Sequence, residues 1–297
     1  MISISIPTYN YNLKELLTVL NQLLKEVETP YEIICYEDGS ENFIDENKDI
    51  IKKMPHARHV VSKENKGRIT SRQILAKLAT YDWILFLDAD MIPRKNSYIL
   101  NYLNYIKSDF DAVYGGYYYA PDAFENKFSL RWLYGKEYEE VVAKKRNRMP
   151  YKVILSGNFL IKRKIFIDIN SFIDNDGYGY DNYLGAIMKL MKTKVFHIDN
   201  NTIHEGLDTN SHFLKKVEEA VENLCKIYEN YPYLITENTL LETYRKTKRY
   251  KLTYVIKWFF VSFRQVLIKN LKSDKPNLIL LQLYKLGYLC FLKPNNS

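Results

Sequence analysis

Cysteine is scarce in this chain of 297 residues. Its three copies, Cys35, Cys225 and Cys290, are scattered and odd in number, which argues against a disulfide framework and against cysteine metal sites. A reducing compartment, the cytoplasm, is the expected location. No secretory leader is expected either, because Met1 runs directly into the strand pattern Ile2-Ser3-Ile4-Ser5-Ile6. There is no internal repeat and no low-complexity linker. Long hydrophobic runs are absent too. The best candidate, Leu252–Ile268, would reach only ~26 Å as a helix, marginal against the ~30 Å of a bilayer core, and it carries Lys257 and Arg264.

Acidic residues are missing from one region only. From Tyr244 to Ser297 there are 12 Lys/Arg and a single acid, Asp274, a local balance of +11. Residues 1–243 carry −3, so the net +8 belongs to the tail. Such a tail meets anionic surfaces, either phospholipid or nucleic acid. Its apolar stretches, with Trp258, Phe259, Phe260 and Phe263, suit a helix lying in the plane of a membrane interface better than nucleic-acid bases. An ordinary core helix is the competing reading. What is abundant is apolar surface, at 46% of residues with 14% aromatic, enough for a sizeable core.

Up to about residue 115 the pattern alternates strand and helix. Strands are expected at 2–6, 31–36, 59–62 and 83–87, and helices at 12–26, 45–53 and 69–79. That alternation implies a mostly parallel sheet. Residues 112–119 and 153–161 read as strands and 130–146 as a helix, followed by a helix at 181–192 and a strand at 194–199. Helices are expected at 211–231, 236–248, 252–268 and 277–292. Two units follow from this, residues 1–210 and a helical extension at 211–297.

The run Trp83-Ile84-Leu85-Phe86-Leu87 ends in Asp88-Ala89-Asp90, a buried strand with two carboxylates at its tip. Open α/β sheets bind ligands outside the carboxyl ends of their strands. Two acids so close suit a Mg²⁺ or Mn²⁺ ion that also holds a diphosphate, or else a solvated turn. Three other loops are placed at the same edge: Pro7-Thr8-Tyr9-Asn10, Glu37-Asp38-Gly39-Ser40, and Glu64-Asn65-Lys66-Gly67-Arg68 leading to Arg72.

This ordered succession, followed by Leu155-Ser156-Gly157-Asn158 and Gly177-Tyr178-Gly179-Tyr180-Asp181, resembles family 2 glycosyltransferases over about residues 1–205. The resemblance implies one GT-A domain, Rossmann-like with a mostly parallel mixed sheet flanked by helices, carrying a basic amphipathic helical tail. It implies an inverting transfer of a sugar from a nucleotide diphosphate, with UDP favoured, to a hydroxyl of a glycan or lipid-linked acceptor in bacterial surface polysaccharide synthesis. By the same resemblance Pro7, Thr8 and Tyr9 line the nucleoside pocket and Asp38 accepts the uracil N3–H. Lys66, Gly67 and Arg72 lie near ribose and diphosphate, as do Asp88, Ala89 and Asp90. Asp90, with Asp88 and His204, binds Mn²⁺ or Mg²⁺, and Asp181 is the general base, against the plainer role of helix N-cap. The enzyme is then peripheral on the cytoplasmic face of the membrane, held by its basic C-terminal helices, with no nucleic-acid partner. Glu37 and Tyr180 stand where the family usually has Asp and Glu, which keeps an inactive nucleotide-sugar-binding homologue in view. A nucleotidyltransferase is the other alternative, though it normally shows a Gly-rich basic loop where this chain has Pro7-Thr8-Tyr9-Asn10.

Overall fold

The computed structural model describes residues 1–173, 177–231 and 238–293. Its first part runs β1 (Ile2–Thr8), α1 (Lys14–Leu24), β2 (Tyr31–Asp38), α2 (Ile44–Ile51), β3 (Ala57–Ser62), α3 (Gly67–Leu78) and β4 (Trp83–Leu87). The four strands pair in parallel in the order β3-β2-β1-β4. Helices cover both faces of the sheet, so β4 is buried at every position and reads as an unbroken apolar run. The sheet separates two cores. Ile2, Ile4 and Ile6 pack with Leu16, Leu17 and Leu20 of α1 on one side. Ile34, Ile84 and Phe86 pack with Leu75 of α3 on the other.

The chain continues through β5 (Met91–Pro93), α4 (Tyr98–Leu103), β6 (Ala112–Tyr114), β7 (Tyr117–Tyr118), α5 (Ser129–Tyr134) and α6 (Ala143–Arg146). It then forms β8 (Asn158–Lys162), α7 (Arg163–Ser171), α8 (Tyr180–Leu190), β9 (Val195–His197) and β10 (Thr202–His204). The main sheet extends as β4-β8-β6-β9, with β8 antiparallel to both its neighbours. A smaller sheet, β5-β10-β7, lies beyond the Asp88–Asp90 tip. Two sequence expectations break here for steric reasons. The expected strand at 112–119 splits because Gly116 adopts φ +92°, turning β7 out of the main sheet and into the small one. The expected helix at 130–146 is interrupted by a π-helical turn at Gly135–Glu139, where Gly135 lies against the Tyr119 ring too closely for any Cβ.

Four helices close the chain: α9 (Asn210–Asn230), α10 (Thr239–Arg249), α11 (Thr253–Leu271) and α12 (Leu278–Leu292). The first two residues of the expected helix at 236–248 lie outside the described residues. These helices do not stand apart. Phe213, Val217 and Leu224 of α9 and Leu281, Tyr284 and Leu289 of α12 join the core that contains Phe86 and Leu130. Asn210 fastens the junction: its Oδ1 accepts from the Leu130 N–H at 2.8 Å and its Nδ2 donates to the Ser273 carbonyl at 3.0 Å. Among the described residues no helix is long and apolar enough to cross a membrane.

Candidate active site

The carboxyl ends of β1, β2 and β4, the start of α3, the start of α8 and the end of β10 supply the site. Asp38 is buried, and its two oxygens accept the backbone N–H groups of Lys66 (2.8 Å) and Gly67 (2.9 Å). It therefore fixes the first turn of α3 against β2. Each oxygen keeps a further lone pair. Gly39 makes the tight approach possible, since a Cβ there would meet Asn65 backbone. Glu37, beside Asp38, is fully buried. It accepts from the Ser40 hydroxyl (2.6 Å) and Asn47 Nδ2 (2.7 Å), with His59 Nε2 at 3.4 Å. Burial raises its pKa, but His59, Ser40 and Asn47 together hold the carboxyl below its ordinary value. Glu37 thus ties the loops that follow β1 and β2. Among the first-strand residues Thr8 is buried, Pro7 half-buried and Tyr9 exposed, and Lys66 is exposed at the head of α3.

At the β4 tip the three residues alternate. Ala89 is buried in the apolar core, while its neighbours face charged partners. Asp88 divides its oxygens between two arginines: Arg72 donates a short bond to Oδ1, and Arg68 lies 3.4 Å from Oδ2. Arg72 is fully buried and also donates to the Ser156 carbonyl at 3.2 Å. Asp90 Oδ2 lies 3.3 Å from His204 Nε2, because β10 pairs with β5 in a register that sets His204 opposite Met91. Burial pushes the Asp90 pKa up, yet His204 and Arg68 outweigh it and hold the group ionised. A Cβ on Gly206 would run into Asp90 Oδ2, so any larger residue there would displace this carboxylate.

Behind His204 stands a second layer. Its Nδ1 is 3.2 Å from Arg131 Nη2 and 3.0 Å from the Tyr119 hydroxyl. Both of these reach Glu139, Arg131 at 2.9 Å and Tyr119 through a short bond. The π-helical turn is what presents Glu139 to them. Of the two, only the Tyr119 hydroxyl oxygen can accept an Nδ1–H, the tautomer that leaves Nε2 able to ligate, while Arg131 holds Tyr119 and Glu139 in place.

Asp181 lies in the first turn of α8, after Gly179 at φ +98°. Gly179 occupies the N-cap and no side chain caps the helix. The Oδ1 of Asp181 is buried and has no hydrogen-bond partner among the described residues. Burial raises its pKa, as does Asp88, against lowering contributions from Arg68, Ser156 and Arg72. Tyr180 turns inward and donates to Asn170 Oδ1 at 2.6 Å. Asp88, Asp90 and Asp181, with Arg68, Arg72 and His204, therefore form one charged group, and Asp38, Lys66 and Gly67 adjoin it through α3.

Sequence reasoning missed Arg68 as a site residue, and it also missed Tyr119, Arg131 and Glu139. The spacing of Arg68 and Arg72, four apart on one helix, could have revealed the first. No local spacing marks the other three, which only the tertiary fold brings to His204. Among the described residues no three His, Cys, Asp or Glu side chains converge as a ready metal cage. Asp90 and His204 do offer one carboxylate and one imidazole side by side. That donor set fits a hard or borderline divalent cation whose remaining positions go to phosphate and water.

Several comparisons bear on this arrangement. Glycosyltransferase GlyG of Streptococcus pneumoniae serotype 4 (strain ATCC BAA-334 / TIGR4) is 29% identical over 119 residues, 40% of this chain and 39% of that protein. The match thus spans about two fifths of that relative. Among solved structures, the mannosyltransferase PcManGT from Pyrobaculum calidifontis in complex with GDP-Man and Mn²⁺ superposes with a TM-score of 0.53 at 14% identity. It covers 77% of this chain and 64% of its own. Glucosyl-3-phosphoglycerate synthase from Mycobacterium tuberculosis, solved with Mn²⁺, UDP and glucosyl-3-phosphoglycerate, gives a TM-score of 0.50 at 12% identity, over 76% of this chain and 79% of its own. These likenesses carry the GT-A fold. Residues 3–170 match the sequence profile of Glycosyl transferase family 2, and since that stretch is more than half of the chain, the protein belongs to this family.

Proposed function

We propose that the protein is an inverting glycosyltransferase that moves a sugar from a UDP-sugar to a hydroxyl of a glycan or lipid-linked acceptor in bacterial surface polysaccharide synthesis. It would work at the cytoplasmic face of the membrane, held there by its basic C-terminal helices. The observation that carries the catalytic part is Asp181: a carboxylate with a raised pKa and a buried oxygen that finds no hydrogen-bond partner among the described residues, beside the acids of the β4 tip. A helix cap would have that oxygen engaged.

In this reading Asp181 accepts the proton of the acceptor hydroxyl as that oxygen attacks the anomeric carbon. The bond from that carbon to the diphosphate oxygen breaks, and UDP departs with the electron pair. Asp90 and His204 would hold a Mn²⁺ or Mg²⁺ ion, with Tyr119, Arg131 and Glu139 fixing the imidazole. The ion, when bound, neutralises charge developing on the diphosphate. Arg68 adds a cation to the same region, and Arg72 keeps Asp88 in place near the ribose. Asp38 presents its free lone pairs to the uracil N3–H, while Pro7, Thr8 and Tyr9 line the base. Relatives with other donors exist, since one structural neighbour was solved with GDP-Man, so the nucleotide has to be tested directly. A panel of nucleotide sugars in a thermal-shift assay, with and without Mn²⁺, should show the largest stabilisation with a UDP-sugar plus metal. A UDP-sugar effect equal to that of GDP- and CMP-sugars would overturn the donor assignment. The Asp181→Asn variant should bind UDP normally and lose transfer by a factor on the order of 10²–10⁴. Retained transfer would overturn the base assignment.

A further inference from the structure

α11 is arranged the opposite way round from an ordinary surface helix. Its two internal cations turn towards the protein. Arg264 pairs with Glu218 of α9 at 2.9 Å and lies over the Phe260 and Tyr288 rings, and Lys257 lies over Phe291 of α12. Its outward face is mainly apolar, with Tyr254 72% exposed, Trp258 60%, Val266 65% and Phe259 40%, and is broken by exposed Ser262 and Gln265. An apolar groove of about 230 Å³, lined by Val255, Phe259, Phe260, Leu267, Leu283 and Gly287 among others, opens between α11 and α12. Gly287 permits the close helix crossing there, since a Cβ would meet the Phe260 side chain at 2.7 Å. Exposed cations bracket the helix: Lys246, Lys248, Arg249 and Lys251 before it, Lys269, Lys272 and Lys275 at and after its end.

We propose that the outward face of the α11–α12 hairpin, centred on this groove, seats in the surface of an anionic phospholipid bilayer, the groove receiving lipid hydrocarbon. This deepens the membrane part of the proposed function and rests on it. Three observations select lipid as the occupant. Lys257 and Arg264 are half-buried against α9 and α12, so their charges lie off the outward face. The cations lie at both ends of the apolar stretch, where a helix in the interface plane meets headgroups. Their sign complements an anionic leaflet, which attracts basic segments lying near its surface. None of the hairpin residues lies among the catalytic group, so seating leaves the cleft free.

The test is co-sedimentation of the full chain with vesicles of phosphatidylcholine alone or mixed with phosphatidylglycerol, read together with tryptophan emission. Trp258 is the exposed one of the three tryptophans. We expect sedimentation with the anionic vesicles, weakening as salt rises, and a blue shift that disappears in Trp258→Phe. The double variant Val255→Asp/Phe259→Asp should lose vesicle binding at least tenfold while keeping its melting temperature and its stabilisation by UDP. Equal binding by that variant, or no binding of the parent chain to either vesicle, overturns the proposal. So does a dimer in light scattering that the double variant dissolves in the absence of vesicle binding, because a second copy then covers the face. Loss of sugar transfer with vesicle binding intact would instead count against the catalytic reading and leave this one standing.

Discussion

Arg68 stands one helical turn before Arg72, and the two guanidiniums share Asp88 between them. Their surroundings give them different roles. Arg72 is sealed in, so replacing it with Ala leaves a carboxylate short of its buried counter-ion, and a loss of about 3–5 kcal/mol in stability is expected by denaturant titration. Arg68 is half-exposed and its charge reaches Asp88, Asp90 and Asp181. Arg68→Gln should leave the melting temperature within a few degrees of wild type yet weaken UDP binding about tenfold or more by calorimetry, with uridine binding unaffected. An equal loss for uridine would mean the residue shapes the pocket and does not meet the diphosphate. Asp181 also has a stability signature. Its folded pKa lies above that of the unfolded chain, so its favourable contribution is present at low pH and disappears as pH rises through the folded value. Asp181→Asn should therefore melt no lower than wild type at neutral pH, and a clearly lower melting temperature would contradict the burial that raises the pKa.

At the scale of elements, much was legible because the patterns are local. β1 and β4 and helices α1, α8 and α9 fall within two residues of their expected bounds, since one buried stripe or an unbroken apolar run defines each. β5 and β10, three residues each, were not legible as a pair, because their partners are distant in sequence and a three-residue strand carries no period. Yet this pairing is what carries His204 to Asp90. The edge strand β9 depends on another non-local device. Arg146 is fully buried and donates to His197 Nδ1 at 2.8 Å, while His197 Nε2 lies 2.8 Å from the Pro150 carbonyl. An imidazole that accepts at one nitrogen and donates at the other is neutral. Burial lowers the His197 pKa from 6.5 to about 4, and Arg146 adds to the effect. A depressed pKa makes the stability contribution full above 6.5 and lost as pH falls towards 4, a penalty of about 3 kcal/mol. Equilibrium unfolding followed between pH 7 and 4 should show that decline, and His197→Gln should flatten it.

For the whole molecule, the decisive feature is that the C-terminal helices and the sheet share one core. Tyr284, Leu281 and Leu271 belong to the same apolar cluster as Phe86, Phe159 and Leu130. Through α5 that cluster lies under Arg131, and thus under His204 and the site. A chain ending at Tyr250 should therefore fail to give a cooperative thermal transition, or should melt far below the full chain in circular dichroism. A truncated form that melts like the parent would show that α11 and α12 are separable from the rest. The distribution of charge, by contrast, needs no fold: the excess of 11 cations after residue 243 is written in the sequence.

The sequence by itself determined the alternating sheet, the acids at the tip of β4, the Asp181 segment and the basic tail, because each is carried by neighbouring residues with a fixed period or spacing. Tertiary structure alone decided which charges meet. Arg68 and Arg72 converge on Asp88, the Tyr119–Arg131–Glu139 layer backs His204, and α11 turns its cations in and its aromatics out. Those outcomes depend on contacts between segments far apart in the chain, and on the cost of burying an unpaired charge, which no single stretch of sequence displays.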